Sequence, residues 1–150
     1  MTDELADAFL TASRALVGLA VRSVAAGSVE VTVPQHRALV LLAGHGSLSI
    51  GSLAEELGVN QSNASRQCDR LERLGLVRRE QSAADARVVQ VGLTAAGRRL
   101  VDEVTAWRRA ELERVLAAMG PVDGSALVEG LRAFAAAAHE LDDRDWPKGG

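Results

Sequence analysis

The sequence predicts a mainly α-helical chain carrying one small β-hairpin. Three observations support this. Two helical segments, 50–57 and 61–74, are joined by a glycine turn and followed by two short strand-like stretches around a polar loop. Apolar residues near both ends of the chain step alternately by three and four, the spacing of a buried helix face. Between hairpin and C-terminal seam, residues 95–119 form an uninterrupted helical pattern, about 37 Å long at 1.5 Å per residue and longer than a compact domain of this size needs.

In order, the first helix runs from Thr2 to about Ala26, with Leu5, Phe9, Ala12, Leu16 and Leu19 on one seam. Val17, Ala20, Val21 and Val24 widen it, and Gly27-Ser28 ends it. Val29 to Val33 alternates loosely but reads as a connector, because Thr32-Val33-Pro34 has the form of a helix start. A second helix follows from Pro34 to Ala43, with Ala38, Leu39, Leu41 and Leu42 facing inward, and Gly44 and Gly46 should stop it. Ser47-Leu48-Ser49 is a short extended piece able to pair with a later hairpin.

The segment 61–74 is the centre of the chain. Asn60 suits an N-cap, since its side-chain oxygen can accept from an N–H one turn in. Ala64, Cys68 and Leu71 make a narrow buried stripe. The other face carries Gln61, Ser62, Asn63, Ser65 and Arg66, all able to donate to base edges or phosphates. With Gly58-Val59 as the turn after the preceding helix, this is a helix-turn-helix pattern. Gly75 sits where a helix C-terminus calls for positive φ. Leu76 to Glu80 and Arg87 to Leu93 read as strands joined by Gln81 to Ala86, with Val89, Val91 and Leu93 on one face. A helix-turn-helix followed by such a hairpin is a winged helix.

Thr94 caps the long helix, on which Leu100, Val104, Trp107 and Val115 mark one stripe before Gly120-Pro121 breaks it. The last helix carries Leu127, Leu131, Phe134, Ala138 and Leu141 on a second +4/+3 seam. Asp142 to Gly150 is charged and Pro/Gly-rich and should fray. The chain therefore divides into an N-terminal dimerisation helix (1–31), a winged helix-turn-helix domain (32–94), C-terminal dimerisation helices (95–143) and a flexible tail (144–150). The terminal helices flank a domain that already has its own core. A second copy of the chain is the economical cover for their remaining apolar faces, giving a symmetric homodimer.

Composition narrows the function. At 47% hydrophobic and 25% charged residues over 150 positions, the chain is an ordinary globular one. No apolar run approaches the ~20 residues of a membrane span, and Asp3, Glu4 and Asp7 do not resemble the basic start of a signal peptide. A cytoplasmic protein without membrane association is expected. One cysteine and three histidines without ligand spacing argue against a metal site, and no cofactor-binding loop is present. No nucleophile or acid–base constellation marks an enzyme. Net charge is -3, yet 32–94 holds seven arginines against six carboxylates. The modest charge of this winged domain keeps an alternative open: a dimeric winged-helix scaffold used for protein contact, without sequence-specific DNA binding.

The hairpin carries a recognisable signature. Asp85-x-Arg87, five residues, Leu93-Thr94 and then Gly97 resemble the wing of the MarR family of bacterial winged helix-turn-helix regulators. Asn63-Ala64-Ser65-Arg66-x-Cys68-Asp69-Arg70-Leu71-Glu72-x-Leu74-Gly75-Leu76-Val77-x-Arg79 is similar to that family's recognition helix and exit turn. Thr32-x-Pro34-Gln35 is similar to the start of its second helix.

The resemblance implies a homodimer with intertwined terminal helices on a pseudo-palindromic operator of double-stranded DNA, most often as a repressor released by a small phenolic or anionic ligand. It places Ser62, Asn63, Ser65 and Arg66 at the major groove, with Gln61 a DNA-binding candidate from the same helix face, and Arg87 in the minor groove, with Asp85 holding its guanidinium. Arg78 is a candidate phosphate contact, with Arg73 and Arg79 beside it; for all three, solvated helix and strand charges are the alternative. By the same analogy, Phe9, Ser13, Leu16, His36 and Trp107 would line the ligand pocket. Cys68, on the stripe with Ala64 and Leu71, reads as a buried core thiol rather than an oxidant sensor.

Overall fold

A computed structural model describes residues 1–148. The elements are α1 (Thr2–Ala25), α2 (Val33–His45), β1 (Ser47–Ser49), α3 (Ile50–Leu57), α4 (Gln61–Arg73), β2 (Val77–Gln81), β3 (Val89–Leu93), α5 (Ala95–Ala118) and α6 (Gly124–Ala137), followed by a 3-10 turn at Asp143–Asp145. The fold is mainly helical with a three-stranded antiparallel sheet in the order β1-β3-β2.

Local chemistry sets the boundaries. The Thr32 hydroxyl accepts from the Gln35 N–H while the Gln35 side chain accepts from the Thr32 N–H, a reciprocal cap that opens α2. Asn60 accepts from the Asn63 N–H at 2.8 Å and opens α4. Thr94 accepts from the Gly97 N–H and opens α5. Past the end of α4, Gly75 adopts φ 73°, which only glycine takes without strain.

One core holds the winged domain together. Leu39 and Leu42 of α2, Leu53 of α3, Cys68 and Leu71 of α4, Val91 of β3 and Leu100 and Val101 of α5 are all buried in it. Sheet register places Val77, Arg79 and Gln81 opposite Leu93, Val91 and Val89. Their shared face turns toward α4, because Arg79 reaches the Asp69 carboxylate at 2.7 Å and the Ser65 carbonyl at 3.1 Å. Arg78, one residue away, points to the other side of the sheet.

Four sequence expectations need correction. Gly44 does not stop α2, which runs on to His45 and ends at Gly46 with φ 84°. Gly44 instead leaves room for Leu141 and Trp146, which would lie 3.2 and 3.3 Å from an added Cβ. The last helix stops at Ala137 rather than continuing through Leu141. His139 takes a left-handed φ of 59°, and the Glu140 N–H closes back on the Ala135 carbonyl at 2.9 Å.

Nor is the tail frayed in its described part. Trp146 packs against the core cluster, and the Arg98 guanidinium donates to the Pro147 carbonyl at 3.2 Å. Finally, α1 is long and apolar enough to cross a membrane by length and composition, with a mean hydropathy of 1.3, contrary to the expectation that no segment is. Within this fold it packs on α5, burying Leu19, Ser23 and Val24.

Candidate nucleic-acid interface

The buried stripe of α4 fixes which side chains it can present. Ala64, Cys68 and Leu71 are fully enclosed, so the helix turns Gln61, Ser62 and Arg66 to solvent. Gln61, Ser62, Ser65 and Arg66 border one open cleft together with Ile50. Arg66 makes no hydrogen bond or ion pair among the described residues, so its guanidinium is free to meet an external partner. Asn63 is more constrained, since its side-chain oxygen accepts from the Gln67 amide at 2.7 Å. Only its amide nitrogen is left to donate outward.

The wing tip is built around Asp85. One of its carboxylate oxygens accepts from the Arg87 backbone N–H at 3.0 Å and from the Arg87 Nε at 3.3 Å. Ser82 and Val88 close the loop through a 2.8 Å backbone hydrogen bond. The Arg87 side chain nevertheless stays 92% exposed. An ion pair this open contributes little to folding; its effect is to aim a charge away from the domain.

Arg78 and Arg79 divide by strand parity. Arg79 is half-buried and welds β2 to α4. Arg78 pairs with Glu80 at 2.6 Å, donates to the Leu93 carbonyl and lines a groove with Arg98, Arg99 and Lys148. The structure therefore separates Arg78 from the α4 residues with which the sequence grouped it. Cys68 lies at the centre of the core, where burial pushes its thiol pKa up against the opposing pull of Arg79.

The five residues assigned to a ligand pocket are not brought together in the chain. Phe9 stacks on Phe134 of α6 with ring centroids 4.4 Å apart. The Ser13 hydroxyl donates to the Leu10 carbonyl of its own helix, and Leu16 is exposed. Trp107 is half-buried on α5 and does not border the cavity that His36 enters. That cavity, of about 490 Å³, lies between α2 and α5 and is lined by His36, Arg37, Val40, Arg108 and Leu112, among others.

Its electrostatics are marked. Burial, followed by the nearby Arg108 and Arg37, lowers the His36 pKa to about 4, and its Nε2 has no hydrogen-bond partner among the described residues. The imidazole is thus neutral near pH 7. Arg108 has no carboxylate partner among the described residues; its guanidinium donates to the Ser23 hydroxyl at 3.0 and 3.2 Å. Sequence reading missed Arg108, because nothing in the local pattern distinguishes it from the solvated Arg109 beside it.

Comparison with known proteins agrees with this geometry. The model of the MarR family matches residues 29–88. The regulator YfiV of Bacillus subtilis is 34% identical over 103 residues, 69% of this chain and 64% of its own length. The repressor MdtR of the same organism is 37% identical over 86 residues, 57% of this chain and 56% of its own. The chain thus spans somewhat under two thirds of these curated relatives. The crystal structure of RV1404 from Mycobacterium tuberculosis superposes with a TM-score of 0.86 at 38% identity, covering 95% of this chain and 97% of that one. Helix order, capped recognition helix, wing and these matches converge: the chain belongs to the MarR family of winged helix-turn-helix transcriptional regulators, not to a family of enzymes.

Proposed function

We propose that the protein is a homodimeric, sequence-specific DNA-binding repressor, acting in the cytoplasm on a pseudo-palindromic operator and released from it by a small anionic or phenolic ligand. The observation that carries this reading is the pairing of two outward-facing elements on one rigid domain. These are the α4 cleft of Gln61, Ser62, Ser65 and Arg66, and the 92% exposed Arg87 at the wing tip. Donors on a helix face suit major-groove edges, and an extended arginine suits the minor groove.

The dimer is supported by what a single chain leaves uncovered. No residue of α6 is buried, and Leu127, Leu131 and Phe134 are exposed, as are Leu16, Val17 and Val21 of α1. Exposed apolar faces on two helices that meet at the Phe9–Phe134 stack suit an interaction site. The same need accounts for the apolar character of α1 without a bilayer. Two recognition helices held by such arms would meet successive major grooves about 34–36 Å apart. The repressor MdtR supports repression as the direction of control. For the ligand, the support is a cavity in which Arg37, Arg108 and Arg109 stand among apolar side chains, with Glu113, Glu140 and Asp143 also in its wall.

The test is fluorescence polarisation with DNA from upstream of the protein's own gene, across 50–200 mM salt, beside a scrambled duplex. Binding to the upstream DNA should be the tighter, and should weaken by about 10³-fold or more over that range as counterions are released. Equal, salt-insensitive affinities would favour the dimeric scaffold instead.

A further inference from the structure

The cavity between α2 and α5 is closed on one side by the chain itself. After α6, residues 140–148 turn back across α2 toward the base of the wing. Glu140 meets Arg37 through two parallel hydrogen bonds of 2.7 and 2.6 Å. Trp146 settles against Gly44, the one position of α2 with no side chain to exclude it. Pro147 is held through its carbonyl by Arg98. Glu140, Asp143 and Trp146 all form part of the cavity wall, and Trp146 also borders the spaces on the strap's other two sides.

Each attachment is of a kind that can be exchanged. The Arg37–Glu140 pair is 41% exposed on both partners, so water already competes for it. Its geometry is that of an arginine gripping a planar carboxylate, the grip a small carboxylate ligand would also use. The segment is covalently continuous with α6, one of the arms, while its contacts lie on α2 of the winged domain and on the first turn of α5 beside it. It is therefore a mechanical link between the two.

We propose that residues 140–148 are a strap that seals the cavity by lending it the Glu140 carboxylate, so that an entering carboxylate ligand takes Arg37 and displaces the strap. This rests on the ligand-release reading above. The strap acts as a tethered competitor: while it is seated, the arm is fastened to α2 and the wing base, and once it is displaced that fastening is gone. Apparent ligand affinity is then reduced by the fraction of molecules in which the strap is closed.

The experiment uses the full chain with Trp107→Phe, which leaves Trp146 as the only indole. Acrylamide quenching reports whether Trp146 is seated, and calorimetry reports binding of benzoate and 4-hydroxyphenylacetate. Two variants are compared: Glu140→Gln, which breaks the charge pair, and Gly44→Leu, which wedges Trp146 away from outside the cavity wall. Both should raise Trp146 quenching and tighten the probe's Kd about tenfold, as expected if about nine-tenths of molecules are closed. Saturating probe should raise the quenching of the parent. Tighter binding in Glu140→Gln alone would reflect local charge and overturn the strap, as would quenching that neither Gly44→Leu nor saturating probe changes. If no variant binds either probe, the cavity is not a site for such ligands, and the displacement falls with that reading.

Discussion

Gly97→Ala should be among the most damaging single-methyl additions in this protein. In the first turn of α5, Gly97 faces the Leu76 carbonyl so closely that an added Cβ would sit 2.1 Å from that oxygen and 3.2 Å from Leu93 Cδ2. The oxygen is backbone and cannot rotate away. It also accepts from the Thr94 N–H at 3.1 Å, while the Thr94 hydroxyl donates to the Gly75 carbonyl at 2.6 Å. Relief requires α5 to back off by about 1 Å, opening the junction with the exit turn of the recognition helix. Overpacking costs about 1–3 kcal/mol, and a lost hydrogen bond about 1 kcal/mol. The better helix propensity of alanine returns about 1 kcal/mol. The net is a loss of about 1–3 kcal/mol, or roughly 2–12 °C in melting temperature for a chain of this size. Urea denaturation should be run beside Gly130→Ala, at a helical glycine that no atom of its own chain crowds among the described residues. If the two variants unfold at the same midpoint, the close approach does not constrain the junction.

Two further outcomes follow from the site. Arg87→Ala should reduce operator affinity by tenfold or more, on the order of 1–3 kcal/mol, with the melting temperature nearly unchanged because the Asp85 pair is so exposed. Equal polarisation curves would remove the wing from recognition. Acid should weaken the fold through His36. Its folded pKa of about 4 lies below the ordinary 6.5, so on acidification the unfolded chain takes up the proton first. This contribution is complete above about pH 6.5 and is lost as pH falls toward 4, up to about 3 kcal/mol in all. Comparing urea midpoints of wild type and His36→Phe at pH 7 and pH 4.5 isolates the effect; parallel losses would contradict it.

What could be read from the sequence was local. Asn60, Gly75 and Thr94 announce their caps because a helix end has few chemical solutions, and each is found in that role. The stripe of Ala64, Cys68 and Leu71 likewise fixes the face of α4 from spacing alone. Arg78 and Arg79 show where this stops. A strand's two faces differ by one residue, so sending Arg79 to α4 and Arg78 to the far groove depends on register, which appears only once β2 pairs with β3. Phe9 was legible as apolar but not as the partner of Phe134, 125 positions away by number. The seating of Trp146 depends on an absence, the missing side chain of Gly44, which reads in isolation as a helix stop.

The Arg79 bridge has a consequence for how any signal could reach DNA. Arg79 is fastened to two points of α4, the Asp69 carboxylate and the Ser65 carbonyl, and the far end of that hairpin carries Arg87. Thr94 ties the same hairpin's return strand to Gly75. Groove reader and wing therefore cannot tilt independently without breaking these bonds. In the homodimer proposed above, control over such a unit would have to come from changing the separation or angle of whole reading heads, with the span between them as the variable and each head's own shape left alone.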